Sequence, residues 1–169
     1  CLLNLQSINM ELLTEIPVRK TSHSKINEVD FENLEFGKYV ADHMLVCDYN
    51  DGEWQQPQVV PFANLSLNPA TLALHYGQTV FEGLKAFRMK DGRVNIFRID
   101  KHYDRFVKSL ERLCMAVPSR EIFVDGIMKL VETAAGAGGV PSGVVLLSAS
   151  GVFSGSMFIL LSHLVLAVQ

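Results

Sequence analysis

Every Lys, Arg, Asp and Glu of this 169-residue chain lies at or before Glu132, and from Thr133 to Gln169 there is none. Charge keeps a segment in water, so a long stretch without it needs cover. Three readings suit such a stretch: buried strands, a membrane span, or the product of a shifted reading frame. Val144 to Val168 is long enough to cross a bilayer. It also holds several Ser and Gly residues and His163, with no basic flank, and this weighs against a span. A strand-rich ending that folds against the strands before it is the natural alternative.

Apolar residues make up 49% of the chain and charged residues 20%, a balance that belongs to globular proteins with a core. The formal net charge is −3. Lys101, Arg105, Lys108 and Arg112 share part of one helical pattern, but Asp100, Asp104 and Glu111 dilute them. A solvated face is the simpler account, and no nucleic-acid partner is expected. Cys1, Cys47 and Cys114 are an odd, widely spaced set. They suit neither a disulfide framework nor a zinc site, and fit a reducing, cytoplasmic location. The opening Cys1-Leu-Leu-Asn-Leu-Gln lacks a charged start and makes a poor signal peptide. Met10 is a candidate first residue.

Local pattern gives the elements. Thr21 to Asn33 is polar and reads as a surface lead-in. Leu34 to Tyr49 predicts one or two strands, and Asn50-Asp51-Gly52 a turn. Val59 and Val60, between Pro57 and Pro61, predict a short edge segment. Leu84 to Phe97 predicts a hairpin around Lys90-Asp91-Gly92, because Asp-Gly readily supplies positive φ. Two helices follow. Asp100 is placed to cap the first, whose apolar stripe is Tyr103, Phe106, Val107, Leu110, Leu113 and Cys114. Pro118 ends that region and Ser119 caps the second helix, with Phe123, Ile127, Leu130 and Val131 as its stripe. Gly136, Gly138 and Gly139 stop it. Strands followed by helices predict an α+β domain.

Several motifs then share one order. Ala73-Leu-His-Tyr-Gly-Gln-Thr-Val-Phe-Glu-Gly-Leu-Lys-Ala-Phe-Arg88 is flanked by Leu34-Glu-Phe-Gly, Ala41-Asp-His-Met-Leu45 and Asn64-Leu-Ser-Leu-Asn-Pro69. Phe97-Arg-Ile-Asp and His102-Tyr-Asp-Arg105 follow. In that register the chain resembles the branched-chain amino-acid aminotransferases, from about Leu34 to Val131, with Pro141-Ser-Gly143 as a last trace. D-amino-acid aminotransferases and aminodeoxychorismate lyases are the same-fold alternatives. The resemblance implies the small amino-terminal domain of the class IV aminotransferase fold. Its expected division is a lead-in (1–33), the small domain (34–143) and an uncharged tail (144–169).

The family implies pyridoxal phosphate as cofactor, branched-chain amino acids and 2-oxoacids as substrates, and a homodimer. In this register Arg105 matches the arginine that binds the cofactor phosphate. A guanidinium fork suits phosphate oxygens, and a place in the first turns of a helix would help. Without the motif, Arg105 reads as a surface arginine paired with a nearby carboxylate. Phe81 and Tyr76 match positions lining the branched side-chain pocket, where apolar walls suit the substrate. Ordinary core packing is the alternative for both. Glu82 and His75 read as structural, since no partner base or carboxylate is evident, and no catalytic residue is assigned. Gly77 and Gly83 are expected to permit turns and close backbone approach. Asp42, His43 and His102 form no metal set.

The sequence also departs from the family. Val144-Val-Leu-Leu-Ser-Ala-Ser150 stands where relatives carry a strand ending Leu-Tyr-Ile-Arg-Pro. No lysine follows Lys129, and no earlier one matches the lysine that holds the cofactor in the larger domain. The isolated chain is therefore expected not to transaminate, and a shifted frame after about Thr133 is the expected cause. A non-catalytic protein that pairs with intact subunits is the alternative from another class.

Overall fold

Asp51 and Gly52 adopt φ of 54° and 87°, the positive pair that matches the twist of a two-residue hairpin. They join β1 (His43–Asn50) to β2 (Glu53–Trp54), with Asn50 opposite Glu53 and Tyr49 opposite Trp54. The computed structural model describes residues 15–30, 40–89, 91, 93–136, 144–153, 157–161 and 165–167. The Leu34–Gly37 motif and the glycines at 138 and 139 lie outside them.

β3 (Gln58–Pro61) returns antiparallel along β1, pairing Met44 with Val60 and Leu45 with Val59. Its free side is met by the lead-in. Val59 N–H donates to Pro17 O at 2.9 Å, and Arg19 N–H to Val59 O at 2.9 Å. The expected short segment between two prolines is therefore a strand, with its outer side covered at Val59.

A short helix, α1 (Leu72–Tyr76), ends on Gly77 at φ 61°. Glycine adopts that left-handed value without the strain a Cβ brings. Sequence pattern gave no sign of α1, since five residues are too few for a period. β4 (Thr79–Arg88) and β5 (Val94–Ile96) form the expected hairpin, with Ala86 opposite Ile96. β4 starts five residues earlier than Leu84, and Phe97 falls in the turn after β5. Lys90 and Gly92 lie outside the described residues. Asp91 ties the turn together, accepting Arg93 N–H at 3.0 Å and Arg93 Nε–H at 2.7 Å.

α2 (Ile99–Arg112) begins one residue before Asp100. Arg98 takes the N-cap place in the left-handed region, φ 55° and ψ 43°, and makes no side-chain cap. The sharp reversal after β5 needs that conformation, which moves Asp100 into the first turn. There Asp100 accepts two bonds from Arg120, Nε at 2.9 Å and Nη2 at 2.6 Å. Asp100 is thus a link to the next helix rather than a cap. α3 (Arg120–Gly136) does start after Ser119, whose Oγ accepts Ile122 N–H at 3.3 Å.

β6 (Val144–Phe153), β7 (Met157–Leu161) and β8 (Val165–Ala167) complete one sheet in the order β2-β1-β7-β6-β4-β5, with β3 beside β1 and β8 beside β6. β6 runs antiparallel along β4 from Thr79–Val152 to Phe87–Val144. The uncharged stretch thus enters as strands laid against the hairpin. Among the described residues no helix is long and apolar enough to cross a membrane.

The two helices cover one face of the sheet. Phe106 and Leu110 from α2 meet Phe123, Ile127, Leu130 and Val131 from α3, and all join Leu45, Cys47, Val59, Val80, Leu84 and Ala86 in one buried cluster. Burying each large side chain contributes roughly 1.5–3 kcal/mol. Phe123 stacks at a tilt on Phe106 and Tyr103, with centroids 5.3 and 5.5 Å away. At the carboxyl end of α2, Leu113 and Cys114 leave the expected stripe and are exposed. The helix ends at Arg112, and Cys114 turns to φ 53°. Three side chains then hold the α2–α3 connection: Gln78 Nε2 donates to Leu113 O at 3.0 Å, Trp54 Nε1 to Val117 O at 2.9 Å, and Tyr103 Oη to Pro118 O at 2.9 Å.

Gly126 lets α3 lie close against β1. A Cβ there would lie 2.5 Å from Leu45 Cδ2. Gly83 shows the opposite. Among the described residues an added Cβ would meet the Phe81 ring at 3.5 Å, an ordinary contact, whereas the tight approach is at Gly126.

Candidate functional site

Successive residues of a strand face opposite sides. In β4 this puts Val80, Glu82, Leu84 and Ala86 in one row, and all four are buried toward the helices. Glu82 is the anomaly, a carboxylate 3% exposed in an otherwise apolar row. An ionised carboxylate in such a place needs charged or hydrogen-bonding partners.

α2 supplies them. Arg105 Nε donates to Glu82 Oε2 at 2.8 Å, Arg105 Nη2 donates to Glu82 Oε1, and His102 Nδ1 lies 2.8 Å from the same Oε1. Burial alone would raise the Glu82 pKa. Bonds from Arg105 and His102, together with the charge of Arg105, outweigh it and hold the carboxyl below its ordinary value. The same pairing raises Arg105 above its own ordinary value. An ionised carboxylate only accepts, so His102 Nδ1 carries the proton. The 3.3 Å approach of Arg105 Nη2 to that nitrogen is then a near contact between two donors.

Arg105 is the seventh residue of α2. The helix dipole fades within the first turn, so its expected help to an anion at this position is small. The side chain instead leans back over the preceding turn, as helical side chains do, and meets His102 three residues earlier. Its side chain is 65% exposed. Nε and Nη2 are engaged, while Nη1 has no hydrogen-bond partner among the described residues. The carboxylate pairing expected of a surface arginine is therefore present on one edge of Arg105, and it leaves Nη1 outside the pair.

Phe81 faces the other side of β4 and is 66% exposed. It lines an open depression of about 430 Å³ with Gly83, Lys85, Phe87, Phe97 and His102. The floor is largely aromatic, and His102 connects it to Glu82 and Arg105. Tyr76, at the end of α1, is 81% exposed and does not line this depression. Neither Phe81 nor Tyr76 is packed in the core. His75 Nε2 lies 2.7 Å from Pro69 O, so that nitrogen donates and ties α1 to the loop before it.

Elsewhere, His43 Nε2 accepts Thr21 N–H at 3.0 Å, and Asp42 Oδ1 accepts Lys25 N–H at 2.9 Å. These side chains anchor the lead-in. Among the described residues no three His, Cys, Asp or Glu side chains are placed to hold a metal. The Glu82 cluster was missed from sequence. Its signal is the carboxylate falling in register with Val80, Leu84 and Ala86, which requires a charged or hydrogen-bonding partner from another element.

Comparison with known proteins adds a second line of argument. The chain is 44% identical over 104 residues to branched-chain-amino-acid transaminase 1 of Bacillus subtilis, covering 61% of this chain and 29% of that protein. It is 42% identical over 117 residues to branched-chain-amino-acid aminotransferase 2 of the same organism, covering 69% of this chain and 32% of the relative. No protein-family model matches the chain. Among solved structures, the branched-chain amino acid aminotransferase of Thermobaculum terrenum in its PLP-bound form superposes with a TM-score of 0.54 at 16% identity, over 76% of this chain and 41% of that one. That likeness is one of fold. The chain thus spans about a third or less of the length of these curated relatives.

Proposed function

We propose that this chain, a homologue of the branched-chain amino-acid aminotransferases over part of their length, supplies the small-domain side of a site for pyridoxal phosphate and a branched-chain amino acid or its 2-oxoacid. The observation that supports the reading is Arg105, held on one edge by a buried carboxylate and open at Nη1.

The donor set fits a phosphate. A planar guanidinium presents parallel N–H groups and stays charged at any working pH. The phosphate of the cofactor would sit on Arg105, and when bound the cofactor supplies the electron sink that transamination needs. This chain's own residues would bind and orient. Phe81, with Phe87 and Phe97 beside it, offers an apolar wall for a branched side chain, which has no polar handle to grip. Tyr76 would join that wall only in a larger assembly, since it stands outside the depression. No group here is assigned the proton transfer. The homodimer expected from the family resemblance and the cytoplasmic location expected from the cysteines belong to the same proposal.

A second reading rests on the exposed aromatics. Phe81 and Phe87, on the face of β4 opposite its buried row, and Phe97, in the turn after β5, are exposed, so the chain could pair with intact subunits without catalysis. Co-purification with an aminotransferase separates the two.

Titration of the chain with pyridoxal phosphate and with pyridoxal tests the phosphate assignment. Arg105→Ala should weaken pyridoxal phosphate binding by about tenfold or more, the loss expected for a charge-assisted bond, and leave pyridoxal unaffected. Unchanged pyridoxal phosphate affinity in the variant removes Arg105 from the site. Borohydride reduction in the presence of the cofactor should leave no stoichiometric adduct on any one lysine. A single modified lysine would overturn the view that this chain lacks the covalent anchor.

A further inference from the structure

An exposed arginine is a poor anion site when its side chain swings among many rotamers, and a good one when something fixes its plane. In this fold the fixing group is identifiable. Glu82 lies in the apolar row of β4, 3% exposed, and grips Arg105 side-on through Nε at 2.8 Å and through Nη2. Two parallel bonds to one carboxylate define the guanidinium plane. They also determine which edge stays free, because a carboxylate on Nε and Nη2 leaves Nη1 pointing away from it. The same Oε1 takes His102 Nδ1–H at 2.8 Å. That bond selects one tautomer, with Nε2 on the side of the ring away from Glu82, and His102 lines the depression with Phe81 and Phe97.

We propose that Glu82 is a positioning residue for anion recognition. Its buried carboxylate presents the Nη1 edge of Arg105 to the phosphate of a phosphorylated ligand, and sets the His102 ring that borders the aromatic depression. This rests on the reading of Arg105 as the phosphate anchor.

The sign of one mutational effect separates positioning from simple charge. Glu82 carries a negative charge close to the site. If it acted only through that charge, Glu82→Gln would remove a repulsion and tighten phosphate binding. Positioning gives the opposite. Gln has one acceptor oxygen where the carboxylate has two, so the side-on grip is lost and affinity falls.

The test uses the full 169-residue chain, labelled with nitrogen-15, and inorganic phosphate, pyridoxal phosphate and pyridoxal as probes. In the unaltered chain, phosphate and pyridoxal phosphate should shift the Arg105 side-chain signals, and pyridoxal should not. Glu82→Gln should weaken both phosphate probes by roughly tenfold, one charge-assisted bond's worth. Glu82→Asp, which keeps the carboxylate on a shorter arm, should recover part of that loss.

Unchanged or tighter phosphate binding by Glu82→Gln, with binding still lost in Arg105→Ala, overturns the positioning role and leaves the anchor reading standing. Unchanged binding in Arg105→Ala, or no phosphate response in the unaltered chain, overturns the anchor reading itself. Should Glu82→Gln fail to fold, the Arg105 Nε–H signal of the unaltered chain decides. Exchange with water slowed well below that of a free arginine supports the clamp, and exchange as fast as a free arginine's overturns it.

Discussion

Gly126→Ala should destabilise this protein, although alanine is the better helix former. In the interior of α3 the exchange gains about 1 kcal/mol of helix propensity. Against that stands the 2.5 Å separation between the new Cβ and Leu45 Cδ2, about an ångström closer than carbon atoms sit in contact. Leu45 is 0% exposed and belongs to the central cluster, so its methyl group has nowhere free to turn. Overpacking of this kind costs about 1–3 kcal/mol. The net effect is a loss of about 1 kcal/mol, the mid-range cost of about 2 less the propensity gain of about 1. The argument gains force from a second background. Leu45→Val removes the offending methyl, and the remaining branch falls near the place of Leu45 Cγ, at an ordinary 3.6 Å from the added Cβ. Leu45→Val alone should cost about 1 kcal/mol, one buried methylene with a small cavity. In that background Gly126→Ala should turn stabilising by about 1 kcal/mol, the propensity gain left unopposed. The two residues would then couple by about 2 kcal/mol, well outside the few tenths expected of independent sites. Urea unfolding followed by circular dichroism measures all four proteins, with an unchanged slope as the condition for comparing midpoints. A Gly126→Ala midpoint at or above that of the parent chain, or additive effects in the double variant, would refute the packing account.

Other outcomes follow from single groups. The Cys47 thiol, pushed up to about 12 by burial and then by the charge of Asp48, also donates to Gln55 O at 3.1 Å. It should resist alkylation in the folded chain and react only on unfolding, whereas exposed Cys114 should react at once; native-state labelling of Cys47 would contradict this. His43 is held below its ordinary 6.5, chiefly by burial, with Asp42 opposing and Lys20 reinforcing the shift. The unfolded chain therefore binds more protons, so His43's contribution is full above about 6.5 and declines as pH falls toward its folded value. Thr21 N–H loses its acceptor when His43 is protonated in the folded chain, at that lower pH. An NMR titration placing His43 at or above 6.5 would remove it as the source of acid sensitivity. Tyr103→Phe deletes the 2.9 Å bond to Pro118 O and should cost about 1 kcal/mol, lowering the melting temperature by about 2–4 °C for a chain of this size. No change would mean that water replaces the hydroxyl without loss.

The parts of this fold that were legible are those whose information is local. The positive φ needed at Asp51 and Gly52 is available to few dipeptides. Phe123, Ile127, Leu130 and Val131 recur at helical spacing because one face of α3 must meet the sheet, and all four are buried. The parts that stayed hidden depend on residues far apart in sequence. Asp100 looked like a cap because its neighbours allow one, but its partner Arg120 stands twenty residues on. Arg105 looked like a surface arginine or a phosphate ligand, and the carboxylate it pairs with, Glu82, stands twenty-three residues before it. The role of Gly126 shows only once Leu45 is placed against it. Only the family resemblance set Arg105, Phe81 and Tyr76 apart from other arginines and aromatics, since nothing in their spacing assigns a ligand.

Trp54 is the chain's single tryptophan, and its place makes it a natural reporter. Its ring leans on Tyr49 with centroids 5.2 Å apart, while its indole N–H reaches across to Val117 O in the connection between the two helices. One fluorophore thus straddles the seam between helical layer and sheet. Its emission should move toward red whenever that seam opens, even while both layers keep their own backbone bonds. Loosening of the layers can then be followed by light alone and separated from melting of helix or strand, with no label added to the protein.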